Sequence, residues 1–193
     1  MSKDPKALPI VPYGDPVLRQ ETQEIDSDYP ELGQLIDNMF ETMYQASGVG
    51  LAAPQVGLAI RLFIVDTSPF EEEHPELAGF HKVFINPIIH EESGKKWKFS
   101  EGCLSIPGIR EDVLRKPNII IEYYDTEWNL IEEEYDGIIA RVIQHEYDHV
   151  EGILFPDLIS SFRKRVIKSK LQDITNGKVD VKYKMRYPIK TNK

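Results

Sequence analysis

Cysteine is almost absent: Cys103 is alone in 193 residues. No disulfide can form within the chain, so stability must come from a buried core, and a reducing cytosol is the expected compartment. Long apolar runs are missing as well. None approaches the ~18–20 consecutive apolar residues of a membrane span, and the opening Met1–Pro5 leads into no stretch suited to a secretory signal. Positive charge is short: 23 Lys and Arg face 32 Asp and Glu, a net charge of −9. That balance argues against a DNA-binding protein, while leaving room for a local basic patch. With 41% hydrophobic and 28% charged residues, the remainder is ordinary for a soluble globular protein, expected to be one domain over 1–193.

What is present divides into three stretches. Residues 1–25 hold Pro5, Pro9, Pro12, Gly14 and Pro16 and predict an extended arm. A first helix is expected from near Pro30, with Asp26, Ser27 and Asp28 as cap oxygens and Gly48 as its stop. Leu32, Leu35, Ile36, Met39, Phe40 and Met43 form its apolar stripe. The middle predicts short strands at Arg61–Asp66, Val83–Ile85, Lys95–Ser100, Asn118–Asp125 and Leu130–Tyr135, with a hairpin connection at Thr126–Asn129. Ser68–His81, with its Glu71–Glu73 run, reads as a solvated loop. A second helix is expected over Gly137–Val150 and a third from Pro156 to Thr175. Val179–Tyr187 could add an edge strand.

The second helix carries the chemistry. Residues 144–149 read Gln-His-Glu-Tyr-Asp-His, so His145 and His149 lie four apart on one helical face with Glu146 beside the first. Two imidazoles so placed can hold a divalent metal, and the carboxylate can serve as a base beside a water. A zincin-like endopeptidase would need a third ligand downstream. No histidine follows His149, no glutamate follows Glu151, and Phe155 stands where the metzincin pattern needs histidine. Upstream the candidates are Cys103, His74, His81 and His90. Cys103 reads equally as a ligand or as a buried small hydrophobe. Gly102 beside it would let backbone approach a bound group. Arg141 reads as a rim residue with its stem packed and its head in water.

Three segments together resemble the signature motifs of the peptide deformylases, in their order and separations. They are Gly48-Val49-Gly50-Leu51-Ala52-Ala53-Pro54-Gln55, Glu101-Gly102-Cys103-Leu104-Ser105 and Gln144-His145-Glu146-Tyr147-Asp148-His149. The resemblance spans residues 10–160, which it implies to be the core, with a C-terminal helix at 156–175. It implies an α+β fold in which small antiparallel or mixed sheets pack around a central metal-binding helix, with N-terminal and C-terminal helices. It also implies removal of the formyl group from N-formylmethionine on nascent polypeptides.

By the same resemblance, Cys103, His145 and His149 bind one divalent metal ion, typically Fe(II), with Zn, Ni or Co also suited to the donors. Glu146 acts as base and then acid, and Gln55 and the Leu104 N–H donate to the oxyanion. Gln55 taken alone is an ordinary loop residue. Gly50, Glu101 and Gly102 fall beside the substrate, Val49, Phe99, Ile138 and Val142 along its methionine side chain with the His145 ring alongside, and Arg110 near the mouth. Arg163, Lys164, Arg165, Lys168 and Lys170 give the third helix a basic face. A solvated surface is its plain reading, and ribosome docking the one the resemblance suggests.

Overall fold

The computed structural model describes residues 4–72 and 74–187. Helix α1 runs over Leu32–Gln45 and buries Ile36, Met39, Phe40 and Met43, as its stripe requires. The expected caps do other work. Asp26 Oδ1 accepts from the Asp28 N–H in a turn, and the helix is entered through Glu31 at φ 53° with no side-chain cap. At its far end Ser47 takes the left-handed conformation at φ 55°, and the Gly48 N–H closes on Met43 O at 2.9 Å.

Seven strands follow: β1 (Gly50–Ala52), β2 (Leu62–Asp66), β3 (His81–Ser93), β4 (Trp97–Cys103), β5 (Ile106–Arg115), β6 (Asn118–Tyr124) and β7 (Leu130–Tyr135). All their pairings are antiparallel: one sheet has the order β1-β2-β3-β6-β7, and β4 and β5 form a separate hairpin. Successive residues of a strand face opposite sides, and β2 uses both. Leu62 and Ile64 pack in the cluster with α1, whereas Phe63 and Val65 join Ala140, Val142 and Ile143 of α2 (Gly137–Val150). Each fully buried Leu, Ile, Phe or Val side chain among them contributes about 1.5–3 kcal/mol.

Helix α2 is therefore central, with the large sheet on one side and buried residues along nearly its whole length. A third cluster joins β5 to α3 (Phe155–Leu158) and α4 (Ser161–Thr175) through Ile106, Val113, Phe155, Ile167 and Leu171. The single helix expected from Pro156 is thus two. Ser160 breaks it, in an extended conformation, with its side chain accepting from the Arg163 N–H.

Three more expectations change. Strand β3 continues past Ile85 to Ser93, with its register shifting across Pro87. Strand β5 was not foreseen. The 179–187 segment forms no edge strand; it makes one parallel bridge, Met185 to Ile10. The Ser68–His81 connection holds short helical turns at Ser68–Phe70 and Pro75–Leu77, with Leu77 buried. Glu71 and Glu72 are exposed, and Glu73 lies outside the described residues.

Candidate metal centre and substrate cavity

The four-residue spacing on α2 brings the His145 and His149 rings to 5.2 Å between centroids. Cys103 reaches them from the end of β4, where the register shifts between Glu101 and Cys103 just before the turn into β5. Its Sγ lies 3.3 Å from His149 Nε2. Donor atoms of Cys103, His145 and His149 all fall within 4.8 Å of one another. Of the other upstream candidates, His81 stacks on Phe40 at 4.1 Å, and His90 sits on the exposed sheet face 3.6 Å from Glu122.

Glu101 organises the centre from behind. Its Oε1 accepts from Arg115 Nε at 2.7 Å and Arg141 Nη1 at 3.0 Å, and its Oε2 from Arg115 Nη2 at 3.0 Å. The same Oε2 lies 2.9 Å from His145 Nδ1. A carboxylate there makes Nδ1 the protonated nitrogen and leaves Nε2 free to face a metal. Burial opposes the charge on Glu101, but the bonds from His145 and Arg115 hold its carboxyl well below the usual range. Glu101 was expected against substrate. It does border the cavity, yet its carboxylate is spent on these three partners.

Arg141 is placed differently from expectation. Rather than reaching into water, it is 2% exposed. It bonds Glu101, Val113 O at 3.1 Å and Trp97 O at 2.9 Å, with its guanidinium 4.6 Å from the Trp97 ring centroid. Two strand carbonyls and a carboxylate take the bonds of its two Nη atoms, which solvent would otherwise take, while its buried Nε has no hydrogen-bond partner among the described residues.

Glu146 is 4% exposed, and its Oε2 has no hydrogen-bond partner. Burial pushes its carboxyl up to about 7, while burial lowers His149 and keeps it neutral. Gly50 lies directly against Glu146: a Cβ there would overlap the Oε1 atom, so only glycine leaves the carboxylate its room. Gln55 Oε1 accepts from the Ala52 N–H at 2.8 Å, which turns Nε2 toward Cys103 Sγ at 3.4 Å.

These groups border a cavity of about 510 Å³. Val49, Gly50, Gln55, Phe99, Glu101, Gly102, Cys103, Leu104, Arg110, Val142, His145 and Glu146 all line it. His149 lies just behind, 2% exposed. Ile138 does not line it. One helical turn before Val142, it packs with the core between α2 and the sheet. Arg110 donates to Ser100 O at 2.6 Å across the hairpin. Sequence reasoning missed Arg115, Phe70 and Tyr183. Asp148 gave a signal, since it precedes the second histidine of the motif, and it pairs with Arg115 at 2.7 Å.

A Cys-His-His group with a buried carboxylate at a cavity wall, carried on a central helix, defines a metal-dependent hydrolase of α+β fold. The sequence profile of polypeptide deformylases matches residues 7–165, and the chain belongs to that family. It is 60% identical over 186 residues to the peptide deformylase of Flavobacterium psychrophilum, covering 93% of this chain and 96% of that one. The Christiangramia forsetii peptide deformylase is 59% identical over 188 residues, covering 94% and 96%. The crystal structure of peptide deformylase 1B from Arabidopsis thaliana in complex with an inhibitor superposes with a TM-score of 0.78 at 36% identity, covering 89% and 92%. The endopeptidase alternative is not favoured.

Proposed function

We infer that this chain hydrolyses the formyl amide of N-formylmethionine at the start of newly made polypeptides, releasing formate. One observation carries the reading: a buried carboxylate, Glu146, borders the cavity beside Cys103 and His145 with one oxygen free of hydrogen bonds. The donor set fits a divalent ion, since a thiolate and two imidazoles converge and a carboxylate orients one of the rings. Cys103, His145 and His149 would hold it, and Fe(II) is our proposed native ion. When bound, the metal lowers the pKa of water and polarises the formyl group.

The chain's own residues account for the rest. Among the described residues, strand β1 ends its sheet and β4 pairs only with β5. The cavity lies between these two free edges, lined by Gly48–Gly50 on one side and Ser100–Cys103 on the other. An extended peptide there gains main-chain hydrogen bonds from both. Its methionine side chain lies along Phe99, Val142 and the stem of Arg141, and Arg110 steadies its backbone at the mouth. Glu146 takes a proton from water as the oxygen adds to the formyl carbon. The oxyanion accepts from the Gln55 amide and the Leu104 N–H, donors worth about 3–4 kcal/mol each. As the C–N bond breaks, Glu146 returns the proton to the leaving amine and formate departs.

Formate release from a formyl-Met peptide tests this. It should vanish on chelation and return with Fe(II), Zn, Ni or Co. Cleavage of unformylated peptides without formate release would overturn the reading.

The proposed compartment is the cytoplasm, and no helix among the described residues is long and apolar enough to cross a membrane. Ribosome docking would fall to a narrower face than the five basic residues of α4. Arg163 is committed to the buried Glu111 at 2.6 Å, and Lys164 to Asp157 O at 2.8 Å. Arg165, Lys168 and Lys170 remain exposed. Reversing these three to Glu should abolish co-sedimentation with ribosomes at low salt. Co-sedimentation that persists unchanged across a salt series would sink the idea.

A further inference from the structure

Cys103 stands at the end of β4, and Leu104 and Ser105 make the turn into β5. Both carbonyls of that turn are held from outside the hairpin. The Tyr13 N–H donates to Ser105 O at 2.7 Å, and the Tyr183 hydroxyl donates to Leu104 O at 2.7 Å. The two donors come from opposite ends of the chain, and those ends are fastened to each other. The Ile10 N–H donates to Lys184 O and the Arg186 N–H to Ile10 O, both at 2.9 Å. The same arm grips the other side of the site, where the Val11 N–H donates to Gln55 O at 2.8 Å. Tyr183 also borders the cavity with Gly48 and Leu104. The match to the family profile stops at residue 165, so this hydroxyl comes from outside the matched segment.

We propose that Tyr183 is a positioning residue for deformylation. Residues 179–187 act as a strap whose phenol pins the Leu104 carbonyl, and with it the turn that carries the Cys103 thiolate and the Leu104 N–H. The inference rests on the deformylase reading. Its physical basis is the small tolerance of such sites. A two-residue turn with a free carbonyl can rock its peptide planes, and displacing a reacting group by about 1 Å can cost as much as 10²-fold in rate. Tyr13 restrains one half of the turn and Tyr183 the other.

The ring of Tyr183 also packs against the core cluster of α1, so the test must separate hydroxyl from ring. Tyr183→Phe keeps the ring. In the metal-loaded enzyme it should lower kcat about fivefold, the usual worth of one hydrogen bond, with KM within about twofold of wild type. Release of metal to a chelator should quicken by a similar factor, and the thermal midpoint should move by no more than about 2 °C. Tyr183→Leu, which loses ring and hydroxyl, should lower kcat further. Wild-type kcat and wild-type metal release in Tyr183→Phe would overturn the proposal, as would a loss confined to thermal stability. Wild-type protein inactive on formyl-Met peptides would instead defeat the deformylase reading, and the metal-release comparison would still judge the strap.

Discussion

A Glu146→Ala protein should bind its metal and release formate about 10³-fold more slowly, within the range that a positioned acid–base group supplies. Its folding should be unharmed. The carboxylate is buried, one oxygen has no partner, and burial works against its charge, so removing it relieves a cost that the active site imposes on the fold. Kinetics, elemental analysis and a melting curve on one preparation check all three statements. Formate release at the wild-type rate would remove Glu146 from the mechanism, and loss of metal with loss of rate would make it a structural group.

The opposite signature is expected at Glu101. Glu101→Ala leaves the Arg141 guanidinium buried without its carboxylate and Arg115 with Asp148 alone. Breaking a buried charge cluster from one side typically costs about 3–5 kcal/mol. His145 loses its orienting acceptor in the same stroke, and removing such a partner weakens metal binding about 10–100-fold. Denaturant midpoints and chelator competition read the two effects separately. The pH dependence carries a sign. Because the folded carboxyl lies below its ordinary value of 4.5, its contribution is complete above that value and fades as pH falls through the lowered one. The variant should therefore show a flatter acid-unfolding profile. A variant that unfolds at the wild-type midpoint and keeps its metal would show that the cluster is ornamental.

The contrast between these two glutamates explains how far sequence reading carried. The metal helix was legible because its function is local: His145, Glu146 and His149 are set by one helical period. The stripe of α1 was legible for the same reason. Strand β5 was not, because Glu111 and Arg115 share its buried face with Ile109 and Val113. An apolar–polar alternation vanishes when inward positions are charged, and their partners, Arg163 and Glu101, lie on other elements, 52 and 14 residues away along the chain. Arg141 defeated the reading likewise, since only the fold brings Trp97 O, Val113 O and Glu101 around it. The strap depends on one long-range bridge and leaves no periodic trace.

That bridge also sets an order of events. Ile10 emerges early in synthesis and Met185 late, so the two can meet only after both histidines, the cysteine and the base have already been made. The pairing of most distant segments carries the largest loop-closure cost and tends to form last. The molecule thus acquires its reactive groups first and the alignment of its hairpin turn last, and a chain still being translated has the parts of the centre without their final registration.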